Sequence, residues 1–276
     1  MAKKDEGKVF ICDVSICNGC YCCQIACKDE HVGNDWTPYA RPQPDTGQFW
    51  LKLEENIRGT VPKVKMHYVP IICMHCDDAP CMEACSIDGA IYRRDDGLVI
   101  IDPVKCTGCR ACVDSCPYHA IYYNEGLNLA QKCTGCAHLL DDGWKEPRCV
   151  DACPTQALKF GSVSEFKDLI SKAKVLNPEY KTKPRVYYLN IPGKFIAGTV
   201  YDPVEKVIVK GAECTLTESG KGKKKRKAVT DGFGDFWFEG LKVGRFNLKI
   251  EAKGFAIKTF DGLSTEKDIN LGDIPL

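Results

Sequence analysis

Short apolar runs broken by turn residues set the pattern of the first 160 positions, and no long amphipathic stripe interrupts them. The segment after the charged start MAKKDEGKVFICD passes straight into a short apolar, strand-like run. Ala90–Arg93 and Leu98–Ile101 flank Asp95-Asp96-Gly97, which predicts a β-hairpin. Ile121–Tyr123 and Asn128–Gln131 flank Glu125-Gly126 in the same way, so one unit is used twice. Ser162-Val-Ser-Glu165 is a capping box with Phe166, Leu169 and Ile170 following on one face, which predicts a helix over about 163–173. Leu176–Gly193 holds three prolines and reads as a strap.

Beyond the strap the period changes. Phe195–Tyr201, Glu213–Thr217, Phe236–Phe238, Phe246–Glu251 and Ile269–Leu271 are strand-like and separated by Gly, Asp and Lys turns. Regular short strands at this spacing predict a small all-β sandwich. The chain therefore reads as α+β, with a loop-rich domain over 1–194 and a β-sandwich over 195–276. The run Lys221–Lys227, six basic residues and one glycine, reads as a solvated hairpin tip, with a docking patch for an acidic surface as the sharper alternative.

Composition changes the picture at one point. Lys and Arg number 38 against 37 Asp and Glu, which gives no argument for nucleic acid or an anionic membrane as the main partner. No apolar stretch approaches the roughly 18 residues that a spanning helix needs. The first residues lack the apolar core of a secretory signal and a twin-arginine pair. A reducing, cytoplasmic setting is the expectation, with export alongside a signal-bearing partner as the alternative. Against this ordinary background stand 19 cysteines in 276 residues, 18 of them between Cys12 and Cys153. In a reducing compartment, such a density points to thiolate ligands rather than disulfides.

The cysteines fall into four groups. They are Cys17-x2-Cys20-x2-Cys23-x3-Cys27, then Cys73-x2-Cys76-x4-Cys81-x3-Cys85, then Cys106-x2-Cys109-x2-Cys112-x3-Cys116-Pro117, and last Cys133-x2-Cys136-x12-Cys149-x3-Cys153-Pro154. The third matches the bacterial ferredoxin run. Three thiolates two residues apart can wrap one iron–sulfur cubane, with loop amides aimed at its sulfurs. The fourth, a helical turn further on, faces away and serves a neighbouring cluster. Sixteen ligands make four [4Fe–4S] clusters in two linked pairs, on a tandem bacterial-ferredoxin-like domain. Structural zinc is the competing reading, but it needs two separated pairs of ligands and has no use for the third and fourth cysteine of each run. Cys22 adjoins Cys23 and could replace it, although the spacing favours Cys23. Cys12 and Cys214 read as small buried hydrophobes. His75 and His138, inside the second and fourth groups, read as hydrogen-bond donors near cluster sulfurs or as packing residues. No hydrolytic triad, phosphate loop or dinucleotide fingerprint is present.

These four groups resemble the iron–sulfur subunits of molybdopterin oxidoreductases of the dimethyl sulfoxide reductase superfamily. The Cys73-Met-His-Cys76-Asp-Asp-Ala-Pro80-Cys81 form and the insertion between Cys136 and Cys149 carry the likeness over about residues 8–190. The resemblance implies pairing of the first group with the fourth and of the second with the third. Cluster one then takes Cys17, Cys20, Cys23 and Cys153, and cluster four takes Cys133, Cys136, Cys149 and Cys27. Cluster two takes Cys73, Cys76, Cys81 and Cys116, and cluster three takes Cys106, Cys109, Cys112 and Cys85. A nearer resemblance is to the small subunits of pyrogallol–phloroglucinol transhydroxylase and related anaerobic phenol hydroxylases. It rests on Gln131-Lys-Cys-Thr-Gly-Cys-Ala-His-Leu-Leu-Asp-Asp142, on Lys183-Pro-Arg-Val-Tyr-Tyr188 and on the appended β domain. That domain is similar to transthyretin-like or Cna-B-like modules, with Thr230-Asp-Gly-Phe-Gly-Asp-Phe-Trp-Phe238 as its best segment. The third group is intact here and largely lost in the transhydroxylase small subunit. Electron exchange with an external carrier therefore fits a full set better than an internal transhydroxylation.

The resemblance implies a non-catalytic electron-transfer subunit in a heterodimer. Its large partner would hold molybdenum or tungsten on a bis-pterin and act on a small, phenolic-type substrate. A free-standing polyferredoxin is the rival reading; the long insertions and the strap argue against it.

Overall fold

The computed structural model describes residues 7–220 and 224–276. The chain divides into two compact units, one built from residues up to Glu55 and His67–Ile191, the other from Asn56–Met66 and Pro192–Leu276.

The first unit is organised on one small sheet. Its middle strand, Lys8–Asp13, pairs antiparallel with Leu158–Ser162 and parallel with Val186–Leu189. Val9, Phe10, Ile11 and Cys12 are all buried, because a central strand covered on both faces needs an unbroken apolar run. The strap is therefore partly a strand: its prolines fall outside Val186–Leu189, where the ladder needs every amide. The two expected hairpins form as Ile91–Arg93 with Val99–Ile101 and Ile121–Asn124 with Leu129–Lys132. Around them lie short helices: Cys22–His31, Pro80–Glu83, Ala111–Ser115, Ala137–Asp141, Arg148–Asp151 and Lys167–Ile170. The last corrects the helix expected over 163–173. Ser162 Oγ does accept from the Glu165 amide at 3.2 Å, yet the chain turns through 163–166 before a single helical turn. Phe166, Leu169 and Ile170 pack with Val9, Ile11 and Leu189, so one turn suffices to cover that face of the sheet.

The second unit consists of two four-stranded sheets sharing one core. In the first sheet Lys194–Asp202 lies between Asp235–Leu241, antiparallel, and Ile269–Pro275, parallel, with Val207–Ile208 paired at its end. The second has the order Lys225–Val229, Glu213–Glu218, Arg245–Glu251, Lys258–Ser264. Strict alternation in Arg245–Glu251 sends Phe246, Leu248 and Ile250 inward. They meet Ile196, Val200, Phe236, Phe238 and Ile274 from the other sheet. Asn56–Met66, the tip of a ribbon formed by Leu51–Thr60 and Lys63–Ile72, belongs to this unit through charge pairs. Arg58 binds Asp268 at 3.3 Å, and Lys63 pairs with Asp235. Nothing in the local sequence of the ribbon announces those partners, which lie more than 170 residues away.

The basic run is not wholly a hairpin tip. Lys225, Arg226 and Lys227 open the edge strand Lys225–Val229, where exposed lysines discourage pairing with another sheet. Its part over 221–223 lies outside the described residues.

Candidate functional site

Three of the four cysteine groups share a C-x-Gly-C loop. Gly19, Gly108 and Gly135 have φ of 72°, 74° and 63°. A Cβ on Gly108 would stand 2.4 Å from the Asn128 carbonyl oxygen, and one on Gly135 2.7 Å from a Leu98 methyl, so a side chain fits at neither. The loop then passes through Tyr21, Arg110 or Cys136, all left-handed, into the helices Cys22–His31, Ala111–Ser115 and Ala137–Asp141. In the second group the glycine position is held by His75 at φ 43°, which puts an imidazole where the other loops have only backbone.

The structure gathers the cysteines into four sets. One cavity is lined by Cys73, Cys76, Cys81 and Cys116, with Ala79, Val99, Pro117 and Ile121 among its walls. A second is lined by Cys106, Cys109, Cys112 and Cys85, with Ile91, Ile101 and Ala130. In each, three thiols come from one run and the fourth from the other.

The first and fourth groups meet in the same manner. Burial pushes the Cys23 thiol up to about 12, with Cys153, Cys17 and Cys20 adding to the rise. Burial holds Cys149 well above the ordinary thiol value, and Cys136, Cys27 and Cys133 reinforce it. Cys153 thus stands among the first group and Cys27 among the fourth.

In the other two sets, burial and then neighbouring thiols, Cys116 among them, raise Cys76 to about 12. Burial and then Cys106, Cys81, Cys109 and Cys85 raise Cys112 to about 12. Thiols so placed ionise only against strong positive charge, which iron supplies. Among the described residues no three His, Cys, Asp or Glu side chains converge as they would around one ion. A cubane instead meets its thiolates at four separate corners, and apolar cavities each edged by four cysteines suit that shape.

Donors face the sulfurs. The Gly135 amide lies 3.4 Å from Cys133 Sγ, and backbone hydrogen bonds from Leu51, Ala120 and Arg148 favour the thiolates of Cys27, Cys116 and Cys136. His75 Nδ1 accepts from the Val99 amide at 3.0 Å, which leaves the ring proton on Nε2. That buried Nε2 has no hydrogen-bond partner among the described residues, and the ring lines the cavity of Cys73 and Cys116. Burial, followed by Lys132, Arg93 and Arg185, keeps the ring neutral. His138 is differently placed: its Nε2 binds Glu30 at 3.0 Å and its ring stacks on Trp36.

His31 was not singled out from the sequence. Its Nε2 lies 3.9 Å from Cys136 Sγ, and its ring packs on Trp50 at 4.5 Å. Burial and then His138 lower it to about 3, so it is a neutral donor or acceptor beside the fourth set. A signal existed: Cys23, Cys27 and His31 recur every four residues and form the buried face of one helix.

Of the three remaining cysteines, Cys12 and Cys214 are buried, and burial raises the Cys214 thiol to about 12. Cys22 is exposed, whereas Cys23 faces inward with Cys17 and Cys153. A thiol-alkylating reagent applied to the native, iron-loaded protein is expected to mark Cys22 first and to spare Cys12 and Cys214 until unfolding. Peptide mass spectrometry reads this directly; early labelling of Cys214 would contradict it.

Residues 64–163 match the family model described as 4Fe-4S dicluster domain, and residues 196–272 that of the carboxypeptidase regulatory-like domain. The small subunit of pyrogallol hydroxytransferase from Pelobacter acidigallici is 36% identical over 98% of this chain and 100% of its own length. One of the chains of the anaerobic dimethyl sulfoxide reductase of Escherichia coli is 35% identical over 64% of this chain and 85% of its own length. The present chain is a member of this family of iron–sulfur oxidoreductase subunits. The iron–sulfur subunit of the arsenate respiratory reductase of a Shewanella species, at 30% identity over 65% of this chain and 94% of its own length, is a further member. As in the family, the chain is an iron–sulfur, electron-transfer subunit. None of its described helices is long and apolar enough to cross a membrane.

Proposed function

We propose that the chain carries four [4Fe–4S] clusters and relays single electrons to or from a large molybdenum- or tungsten-pterin subunit acting on a small phenolic substrate, by hydroxylation or dehydroxylation. The ligands are Cys17, Cys20, Cys23 and Cys153; Cys73, Cys76, Cys81 and Cys116; Cys106, Cys109, Cys112 and Cys85; and Cys133, Cys136, Cys149 and Cys27. The observation that carries this reading is the pair of cavities each lined by three cysteines of one run and one of the other. Residues 1–194 serve as the cluster domain, and 195–276 as a transthyretin- or Cna-B-like sandwich that covers the partner or another copy of the complex.

Bound in these sets, the clusters supply the one-electron carriers, with potentials anywhere in a range of roughly −700 to +450 mV. The protein sets their order. Cys149 of the fourth set feels Cys23 of the first, Cys133 of the fourth feels Cys73 of the second, and Cys112 of the third feels Cys81 of the second. The sequence of neighbours is therefore first, fourth, second, third. Cys20 at one end and Cys109 at the other are exposed, which suits the arrival and departure of electrons. The amides and His75 Nε2 lower the cost of charge on the sulfurs, and the apolar walls keep water away.

Anaerobic isolation of the chain with whatever large subunit accompanies it tests the proposal. About sixteen irons per chain and four distinguishable paramagnetic centres on reduction are expected, on the count of four irons per cubane. About eight irons, or a chain that leaves the cells without a large partner, would overturn it.

A further inference from the structure

We propose that Lys132 is the residue that sets the reduction level of the two inner centres, those of the Cys133 and Cys73 groups. The inference rests on the four-cluster reading and concerns what lies between two of the sites. Lys132 is 2% exposed, among the largest fully buried side chains of the protein. Its Nζ donates to the carbonyl oxygens of Val99 and of Cys133, the latter at 3.0 Å. Among the described residues it forms no ion pair with a carboxylate.

A buried ammonium without an anionic partner is costly, and a fold retains one where some other negative charge answers it. Here the candidates are on both sides. Val99, whose carbonyl receives the ammonium, lines the cavity of Cys73, Cys76, Cys81 and Cys116, and its amide fixes His75 in that wall. Cys133, whose carbonyl receives the other bond, begins the fourth group. The two hydrogen bonds of Lys132 thus tie its ammonium to the wall of the second set's cavity on one side and to the start of the fourth group on the other.

A cubane with four thiolates is an anion, and reduction adds one more negative charge. A fixed cation beside it makes that step easier and raises its potential. Lys132 is not among the sixteen proposed ligands. It acts as a positioning charge at the junction where the pair of first and fourth sets hands electrons to the pair of second and third. With its ammonium in place the two inner centres accept electrons more readily than their burial alone would allow.

Two neutral variants separate charge from structure. Lys132→Met keeps the volume and loses both the charge and the hydrogen bonds; Lys132→Gln loses the charge and keeps a donor for the carbonyls. The full chain is purified anaerobically in its native complex and titrated electrochemically, with the individual centres followed by electron paramagnetic resonance. In both variants the two inner centres are expected to become at least tenfold harder to reduce, a fall of about 59 mV for a one-electron couple. The two outer centres are expected to move less. Unchanged potentials with iron retained would overturn the proposal. So would a Lys132→Gln protein indistinguishable from wild type beside a damaged Lys132→Met protein, since that marks a hydrogen-bonding role alone. Loss of iron in both variants would make Lys132 an assembly residue and equally overturn it. The four-cluster reading stands or falls separately, on the iron content and number of centres of the wild-type protein.

Discussion

Cys116→Ser is expected to abolish the centre of Cys73, Cys76 and Cys81 and to leave intact that of Cys106, Cys109 and Cys112, the run to which Cys116 itself belongs. In the fold Cys116 lines the cavity of the second group, and the amide of Ala120 is turned to its sulfur. Cys85 stands in the cavity of the third group. A serine oxygen is a harder, poorer ligand for iron than a thiolate, so one cubane is lost or degraded, about four irons of about sixteen. The reciprocal variant Cys85→Ser should spare the second centre and damage the third. Spectra that resolve single centres check both; damage confined to the variant's own run in each case would mean that the ligands are not exchanged. Total iron alone cannot distinguish these outcomes, because either variant removes the same amount.

Phe236→Ala is expected to cost about 3–5 kcal/mol in the stability of the second unit. The ring is 1% exposed and meets Phe238 edge-on at 6.0 Å. It also fills the space over Gly198, where a Cβ would come within 3.1 Å of it. Losing it leaves a void between the two sheets that neither can close without breaking its ladders. For a unit of this size the midpoint of thermal unfolding should fall by more than about 10 °C. Circular dichroism or calorimetry measures the shift, and an unchanged midpoint would place Phe236 outside a close-packed core. The iron content of the same variant should be unaffected, because every wall of the two cysteine cavities comes from the first unit.

The parts of this protein legible in its sequence are those governed by neighbours a few residues apart. Asp95-Asp96-Gly97 and Glu125-Gly126 permit little but a turn, and both hairpins form around them. Alternation in Phe246–Glu251 is a strand because period two has no other use. The exceptions are instructive. A capping box over Ser162–Glu165 predicts a longer helix than forms, since the cap specifies a start and packing against Val9 and Ile11 decides the length. The basic run looks like a tip because lysines are soluble anywhere; that Lys225–Val229 is an edge strand depends on Glu213–Glu218 beside it. Strands such as Leu158–Ser162 and Lys258–Ser264 carried too little local pattern to be seen before their partners were known.

The chemistry divides along the same line. By itself the sequence determined the type of cofactor, because cysteines two residues apart on a glycine loop can wrap a cubane and little else. It also grouped the cysteines into four runs, three of them compact and the fourth interrupted by twelve residues between Cys136 and Cys149. Only the tertiary structure decided that Cys116 stands in the cavity of the second group and Cys85 in that of the third, that His31 lies beside Cys136, and that Lys132 is buried against the carbonyls of Val99 and Cys133. Those outcomes come from segments tens to more than a hundred residues apart, brought together by burial of apolar surface, which is proportional to area and blind to sequence distance.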